Sequence, residues 1–454
     1  QSMEAASVVL SQRCLAKLPE VLRLAAARCT RLYVAVHPEL PLQSTLDSIY
    51  ARASEHAPLL DVRVMLKSTL PHGVTPLRAE DGSLPPARPA IDPPYQRVCL
   101  GGTFDRLHNG HKALLSRAAL ISRESIVCGV TDGNMITNKT LWEMIEPVER
   151  RMKAVEEFVN DVSNVSCDLR SITDPFGPSI EMADLNAIVV SEETFKGGQA
   201  VNVKRFENQM GELVIEKIGL IEADDSLLKE TKLSSSSRRK EALGTLLKPV
   251  NTHPKFSPYT IGLTGGIASG KTKVAEDLRS MGYTVLDCDK IAHGTYAAGS
   301  DLVKEIALAF PSVVNEKEEV DRRALGDIVF NDTSKRLQLN GLVWPAVLKA
   351  VQAELDKIPS SDVVFIEAAA LVEAGWPRNL HETWIIFCAR AEELRRVQQR
   401  DNLDEKQAEA RVSSQISNRE RIEVSHVAIC SDWEREVTRK QVRKAVELLE
   451  KRRK

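Results

Sequence analysis

Short apolar runs separated by amphipathic stretches recur along this chain, and their spacing predicts strands alternating with helices. Leu32-Tyr33-Val34-Ala35-Val36, an amphipathic stretch and Val62-Arg63-Val64-Met65-Leu66 predict a β-α-β piece near the start. Residues 71–94 hold seven prolines with little apolar periodicity, the pattern of an extended linker or surface loop. Beyond it come Val98-Cys99-Leu100, a Gly-rich turn and a helix from His111 to about Ser122. The strand candidates Ile126-Val127-Cys128-Gly129-Val130-Thr131, Ala187-Ile188-Val189-Val190 and Leu213-Val214-Ile215 follow. Three prolines between Pro249 and Pro258 mark a second break. After it, Tyr259-Thr260-Ile261-Gly262-Leu263, Tyr283-Thr284-Val285-Leu286, Asp362-Val363-Val364-Phe365-Ile366 and Trp384-Ile385-Ile386-Phe387-Cys388 predict further strands. The charged tail after Trp433 reads as a helix with a solvated face. The expected class is α/β with parallel sheets, which take ligands beyond the carboxyl ends of their strands. The expected organisation is 1–94, a region of unassigned role with a Pro-rich linker; 95–248, a first α/β domain; 249–258, a linker; and 259–454, a second α/β domain.

Composition narrows the partners. With 61 basic and 63 acidic residues in 454, there is no broad electrostatic footprint for nucleic acid or an anionic membrane. No apolar run is long enough to span a bilayer. The eight cysteines are scattered without a C-x-x-C pair, which points to reduced, buried thiols and a reducing compartment. A cytoplasmic location is expected, with mitochondrial association open because the chain starts at Gln1 and a targeting segment can have been removed. Small molecules are the expected partners, with protein partners of the N-terminal region open.

Two phosphate-handling elements stand out. Gly265-Gly266-Ile267-Ala268-Ser269-Gly270-Lys271-Thr272 is a complete G-x-x-x-x-G-K-[ST] loop behind an apolar run. Its backbone amides and the following helix would wrap a triphosphate, with Lys271 on the β and γ oxygens and Thr272 offering a hydroxyl to Mg²⁺. Asp287-Cys288-Asp289 ends the next strand, where a carboxylate either reaches a substrate hydroxyl or serves as a turn or helix cap. Arg395-Arg396-Val397-Gln398-Gln399-Arg400-Asp401, with Arg411 and Gln415, forms a cationic cover or an exposed, salt-bridged helix. With Leu342-Val343-Trp344-Pro345-Ala346-Val347-Leu348 and the Glu373 region, these elements resemble dephospho-CoA kinases from Thr260 to the tail. That resemblance implies that Asp289 is the base for the ribose 3′-hydroxyl and that Lys271, Thr272, Arg400 and Arg411 take phosphate, metal and lid roles. Trp344 stands where that family has His, and Cys430-Ser431-Asp432 where it has an Asp-Asn pair.

Upstream, Gly101-Gly102-Thr103-Phe104-Asp105-Arg106-Leu107-His108-Asn109-Gly110-His111 places two histidines at i and i+3 at a helix start. Imidazoles there suit the nonbridging oxygens of an α-phosphate under in-line attack; a partial metal site or a structural pair are the alternatives. G-T-F-D followed by H-x-G-H resembles the nucleotidylyltransferase superfamily, with a Rossmann-like fold, and the order of later elements resembles eukaryotic phosphopantetheine adenylyltransferase over about Val98 to Lys240. The resemblance implies that His108 and His111 are catalytic, that Lys139 orients the attacking phosphate and that Thr103 contacts it. It also implies that Gly102, Thr103, His111, Ser234, Ser237 and Arg238 contact the nucleotide. Read without the resemblance, the serine run 234–237 is more readily a linker. A phosphate monoester nucleophile is already anionic, so no protein base is required.

The product of the first family is the substrate of the second, so the pair implies the last two steps of coenzyme A synthesis. The small molecules would be ATP with Mg²⁺ at both sites, 4′-phosphopantetheine, dephospho-CoA and CoA. The rivals are a nucleoside or nucleotide kinase with a regulatory adenylyltransferase-like half, and an ATP-dependent scaffold.

Overall fold

The computed structural model describes residues 3–76, 92–218 and 235–453, and it divides into two compact units, Gln1–Arg239 and Lys240–Lys454. Most of the Pro-rich stretch, and Ser234 of the serine run, lie outside the described residues.

The first unit holds two parallel sheets. Strands β1 (Met3–Leu10), β2 (Cys29–Val36), β3 (Asp61–Met65) and β4 (Thr75–Pro76) form one in the order β3-β2-β1-β4. The β-α-β expectation therefore covered only part of this sheet. Strand β1, which pairs with β2 along Met3–Leu10, was not anticipated: the small residues Ala5-Ala6-Ser7 make up much of it, and its apolar run is confined to Val8-Val9-Leu10 at the end. Strands β5 (Tyr95–Gly102), β6 (Ser122–Thr131), β7 (Ser166–Ile172), β8 (Ala187–Val190) and β9 (Val214–Lys217) form the other, in the order β7-β6-β5-β8-β9, with every pairing parallel.

One apolar core runs through both sheets. Leu10, Leu22, Val34, Ile49 and Val62 of the N-terminal layer belong to the same cluster as Leu100, Leu115, Ile126, Val155 and Phe158. Each fully buried side chain of this size contributes roughly 1.5–3 kcal/mol, so residues 3–66 are packed into the unit and do not hang from it as an arm. Polar ties reinforce the layer: the Tyr50 and Ser116 hydroxyls lie 3.2 Å apart, buried, and the Leu66 amide donates to the Val162 carbonyl at 2.8 Å.

The second unit is a parallel sheet of β10 (Tyr259–Gly265), β11 (Thr284–Asp287), β12 (Val363–Glu367), β13 (Glu382–Phe387) and β14 (Val427–Cys430), in the order β11-β12-β10-β13-β14. Both faces are covered, as the two-residue period of a strand shows: Val364 and Ile366 pack on one side with Val347 and Val351 of helix Thr333–Leu355, and Phe365 on the other with Val274, Leu278 and Val442. The tail helix Arg435–Arg453 has the expected solvated face, with Glu436, Arg439, Lys440 and Arg443 exposed, and opposite it buries Val442, Ala445, Val446 and Leu449 on the sheet.

Residues 240–258 are built into this unit as well. The Gly244 and Leu247 amides donate to Ala428 and His426 carbonyls, and Leu246 bridges antiparallel to Val427 on the edge of β14. Gly244 has φ +70°, and a Cβ there would meet the Gln441 carbonyl oxygen at 2.5 Å, so only glycine fits. The Pro-rich break between 249 and 258 is likewise seated: Asn251 donates to the His381 and Leu380 carbonyls, and Phe256 is buried in the core.

Candidate functional site

Strand β5 lies between β6 and β8, and its carboxyl end opens into the Gly101–His111 turn. Gly102 and Gly110 allow close approach: a Cβ at Gly102 would meet the Phe104 ring at 3.1 Å and one at Gly110 the His108 ring at 3.1 Å, and each ring would have to move to admit it. His108 is the N-cap of helix Asn109–Ile121, and His111 sits in its first turn. The two imidazoles stack with centroids 3.8 Å apart and planes at 24°, and Phe104 backs His111 at 5.1 Å. Burial, then Arg238 and Lys112, push His108 down to about 4; burial, His108, Arg238 and Lys139 hold His111 well below its usual range. Both rings are therefore neutral near pH 7, which is what permits two imidazoles to stack. The Nδ1 atoms of both are buried and have no hydrogen-bond partner among the described residues. Neutral imidazoles with unsatisfied nitrogens at a helix N-terminus suit an oxyanion.

The structure brings the other predicted residues to the same strand ends. The Thr103 hydroxyl lies 3.1 Å from that of Thr131. Lys139 is exposed, and partial desolvation, then the Arg239 and Arg151 charges, lower its ammonium pKa. Ser237 and Arg238 lie in helix Ser235–Ala242, so the described part of the serine run is the start of a helix rather than a linker. Arg238 donates to the Pro58 carbonyl at 2.9 Å.

Three residues that hold this site together were given no role from the sequence. Arg151, fully buried, donates to the carbonyls of Thr103, Thr131 and Glu146, tying the ends of β5 and β6. Its signal was available: it interrupts the apolar face Val155, Phe158, Val159, Val162 of helix Val148–Val162. Asp105, fully buried, accepts from Arg239 at 2.7 Å and from the Glu146 amide at 3.0 Å. Arg239 in turn donates to the Thr140 carbonyl, just beyond Lys139.

The downstream loop follows β10 between β12 and β13. A Cβ at Gly265 would lie 2.2 Å from the Ile386 carbonyl oxygen, and one at Gly266 2.3 Å from Glu393. Ala268 and Gly270 have φ of 58° and 92°, the left-handed turns that bend the loop into helix Lys271–Ser280. The Ser269 hydroxyl is buried and has no hydrogen-bond partner among the described residues. The Ile267 amide donates to Gln415 Oε1 at 2.9 Å. Thr272 Oγ1 donates to Glu367 Oε1 at 3.1 Å. Glu367 was not anticipated, although an acid closing the apolar strand β12 was a visible signal.

Of the two aspartates in D-x-D, it is Asp287 that caps helix Cys288–Thr295, accepting from the Asp289 and Lys290 amides. The exposed Asp289 carboxylate makes no hydrogen bond or ion pair among the described residues. Helices Arg390–Asp401 and Glu405–Ser413 form the expected pair. Their predicted lid cations are both engaged: Arg400 forks onto Asp401 at 2.8 and 2.9 Å, and Arg411 reaches the same carboxylate at 2.5 Å. Arg396, not singled out in the sequence, grips the loop instead. It donates to the Ala268 carbonyl and to both oxygens of Ser431, whose hydroxyl donates to the Ser269 carbonyl at 2.6 Å. Asp432 accepts from the Ala389 amide, and the half-buried Trp344 sits in helix Thr333–Leu355 with Pro345 inside that helix.

Comparison with known proteins follows the same division. A family model described as dephospho-CoA kinase matches residues 259–435, and one described as cytidylyltransferase-like matches residues 99–241. A dephospho-CoA kinase of Carboxydothermus hydrogenoformans is 32% identical over 185 residues, 40% of this chain and 90% of that protein. One of Geobacillus kaustophilus is 34% identical over 186 residues, 40% and 92% of the respective chains. A solved dephospho-CoA kinase from Campylobacter jejuni is 26% identical, covers 43% of this chain and 98% of its own, and gives a TM-score of 0.35. Through its C-terminal half the chain belongs to the dephospho-CoA kinase family, and it carries a cytidylyltransferase-like domain ahead of that kinase.

Proposed function

We propose that this chain performs the last two steps of coenzyme A synthesis in succession. A cytidylyltransferase-like domain and a dephospho-CoA kinase domain fit those two steps, and both use a nucleotide substrate. The observation that carries the reading is the pairing, in one chain, of an unsatisfied neutral histidine pair at the end of β5 with a phosphate loop and an uncommitted Asp289 in a dephospho-CoA kinase fold. A nucleoside kinase with a regulatory upstream half is not favoured by these matches.

In the first step an oxygen of the 4′-phosphate attacks the α-phosphorus of ATP; the bond to the bridging oxygen breaks and pyrophosphate leaves. His108 and His111 hydrogen-bond the α-phosphate oxygens as charge grows. Thr103 and Lys139 hold the incoming phosphate, and Arg238 with Ser237 faces the departing pyrophosphate. In the second step the ribose 3′-oxygen of dephospho-CoA attacks the γ-phosphorus of a second ATP while Asp289 takes its proton, and ADP leaves. Lys271 and the amides of 266–272 bind the β and γ oxygens. Arg400 and Arg411 leave Asp401 to cover the phosphates. The Thr272 hydroxyl and Glu367 carboxylate, 3.1 Å apart, fit Mg²⁺, which takes one or two protein oxygens and the rest from phosphate and water. Bound with the nucleotide, that ion neutralises charge on the transferred group.

The test is a time course of products from 4′-phosphopantetheine, ATP and Mg²⁺, followed by mass spectrometry with pyrophosphate and ADP quantified. The expected result is dephospho-CoA first and CoA after a lag, with equal pyrophosphate and ADP per CoA. Dephospho-CoA accumulating without CoA would remove the second step from the reading, and no dephospho-CoA would remove the first.

A further inference from the structure

The N-terminal sheet has no phosphate loop or paired histidines of its own, yet its edge touches two cations beside the histidine pair. Asp61, the first residue of β3, accepts from Lys112 Nζ at 2.5 Å; Lys112 immediately follows His111 and its side chain is only 5% exposed. Three residues earlier in the chain, the Pro58 carbonyl accepts from Arg238. Both Lys112 and Arg238 act electrostatically on His108. Asp61 also holds Arg31 at 2.7 Å and Arg63 at 3.0 Å, and Arg63 continues to Asp161 at 2.6 Å, which accepts from the Tyr33 hydroxyl as well. Although burial opposes it, the Lys112 and Arg63 charges hold the Asp61 carboxyl far below its ordinary range. Asp61 therefore stays ionised and is the carboxylate that pins the first turn of the histidine helix from behind.

We propose that Asp61 is a positioning residue for adenylyl transfer, acting through Lys112, so that the N-terminal sheet is a working part of the upstream active site. The inference rests on the adenylyl-transfer reading above. In-line attack tolerates little displacement, since a shift of about 1 Å far from the reacting atoms can cost on the order of 10²-fold. The histidines stand in the turn whose only buried ammonium, among the described residues, is fixed by this carboxylate.

The experiment uses the full chain and compares Asp61→Asn, Asp61→Glu and the double variant Asp61→Asn/Lys112→Met. Formation of dephospho-CoA and phosphorylation of supplied dephospho-CoA are measured separately, with the thermal midpoint of each variant. Asp61→Asn is expected to lower kcat for dephospho-CoA formation by roughly 10–100-fold with KM values little changed and the kinase rate at the parent's level. Asp61→Glu should recover much of the loss. The double variant removes the uncompensated buried ammonium and should regain thermal stability while kcat stays low, which a role in folding alone does not produce. Parent-level kcat in Asp61→Asn or in the double variant would overturn the inference while the parent enzyme remains active. A parent chain that makes no dephospho-CoA would overturn the underlying reading instead.

Discussion

The two phosphate sites of this chain are built on opposite plans. Upstream, four cations around the histidine pair are already committed to the fold: Lys112 to Asp61, Arg238 to Pro58, Arg239 to Asp105 and Arg151 to three carbonyls. Downstream, Arg400 and Arg411, the proposed cover for the phosphates, are exposed and share the Asp401 carboxylate, a solvent-screened pairing that holds them weakly. The first site is prearranged for a reaction whose nucleophile needs no base. The second has to recruit its charge when the triphosphate arrives, because phosphoryl transfer to a hydroxyl must exclude water that would otherwise be the acceptor. Rigidity and adjustability are thus divided between the two halves according to their chemistry.

The sharpest way to break that comparison is to disable each site separately. Lys271→Met should lower phosphorylation of dephospho-CoA by roughly 10³-fold or more, and His111→Ala should lower dephospho-CoA formation by roughly 10²–10³-fold. Each should leave the other half-reaction at its normal rate, and a loss of both in either variant would show that the sites are not independent. Next in size, Asp289→Asn should cost roughly 10²–10⁴-fold in kcat of the second step with KM nearly unchanged. A comparable loss in Asp287→Asn accompanied by a falling thermal midpoint would mark the cap, whereas Asp289→Asn should leave stability intact. Smaller again, Arg411→Ala should reduce kcat of the second step by roughly 10-fold with unaltered stability, because its partner Asp401 keeps Arg400. A fall in thermal midpoint with an unchanged rate would make the lid assignment wrong.

The least dramatic test concerns pH. His108 and His111 are held below their ordinary value by burial, His108 to about 4. The unfolded chain, with ordinary histidines, binds more protons over the interval between roughly pH 6.5 and 4. Their contribution to stability is accordingly full above that interval and is lost as pH falls through it. The thermal midpoint of the His108→Gln/His111→Gln variant should decline less steeply over this interval than that of the parent; equal slopes would refute neutral burial of the pair.

What could be seen in the sequence depended on how local it was. The phosphate loop, the H-x-G-H turn and most strands announce themselves because their defining residues are consecutive in the chain, Gly265 to Thr272 in the one and Gly101 to His111 in the other. The parts that went unseen are partnerships across long stretches of chain. Arg151 reaches Thr103, Arg396 reaches Ser431, and Asp61 reaches Lys112, with no spacing that links them. Strand β1 was missed although Val8-Val9-Leu10 is apolar, because Ala5-Ala6-Ser7 before it owes its place to the surrounding layers, and the tail helix showed its charged face but not the stripe buried opposite it.

The segment that pairs along β14 has a practical corollary. The kinase family match begins at residue 259, but the folded unit begins at Lys240, and the bridge at Leu246, the anchor at Asn251 and the buried Phe256 all precede 259. A kinase fragment cut at the family boundary would bare the β14 edge, with its unpaired amides and carbonyls open to another molecule's strand, and would empty the Phe256 socket. What looks like a spacer between two enzymes is a selvage of the second one, and truncations meant to separate them belong upstream of Gly244.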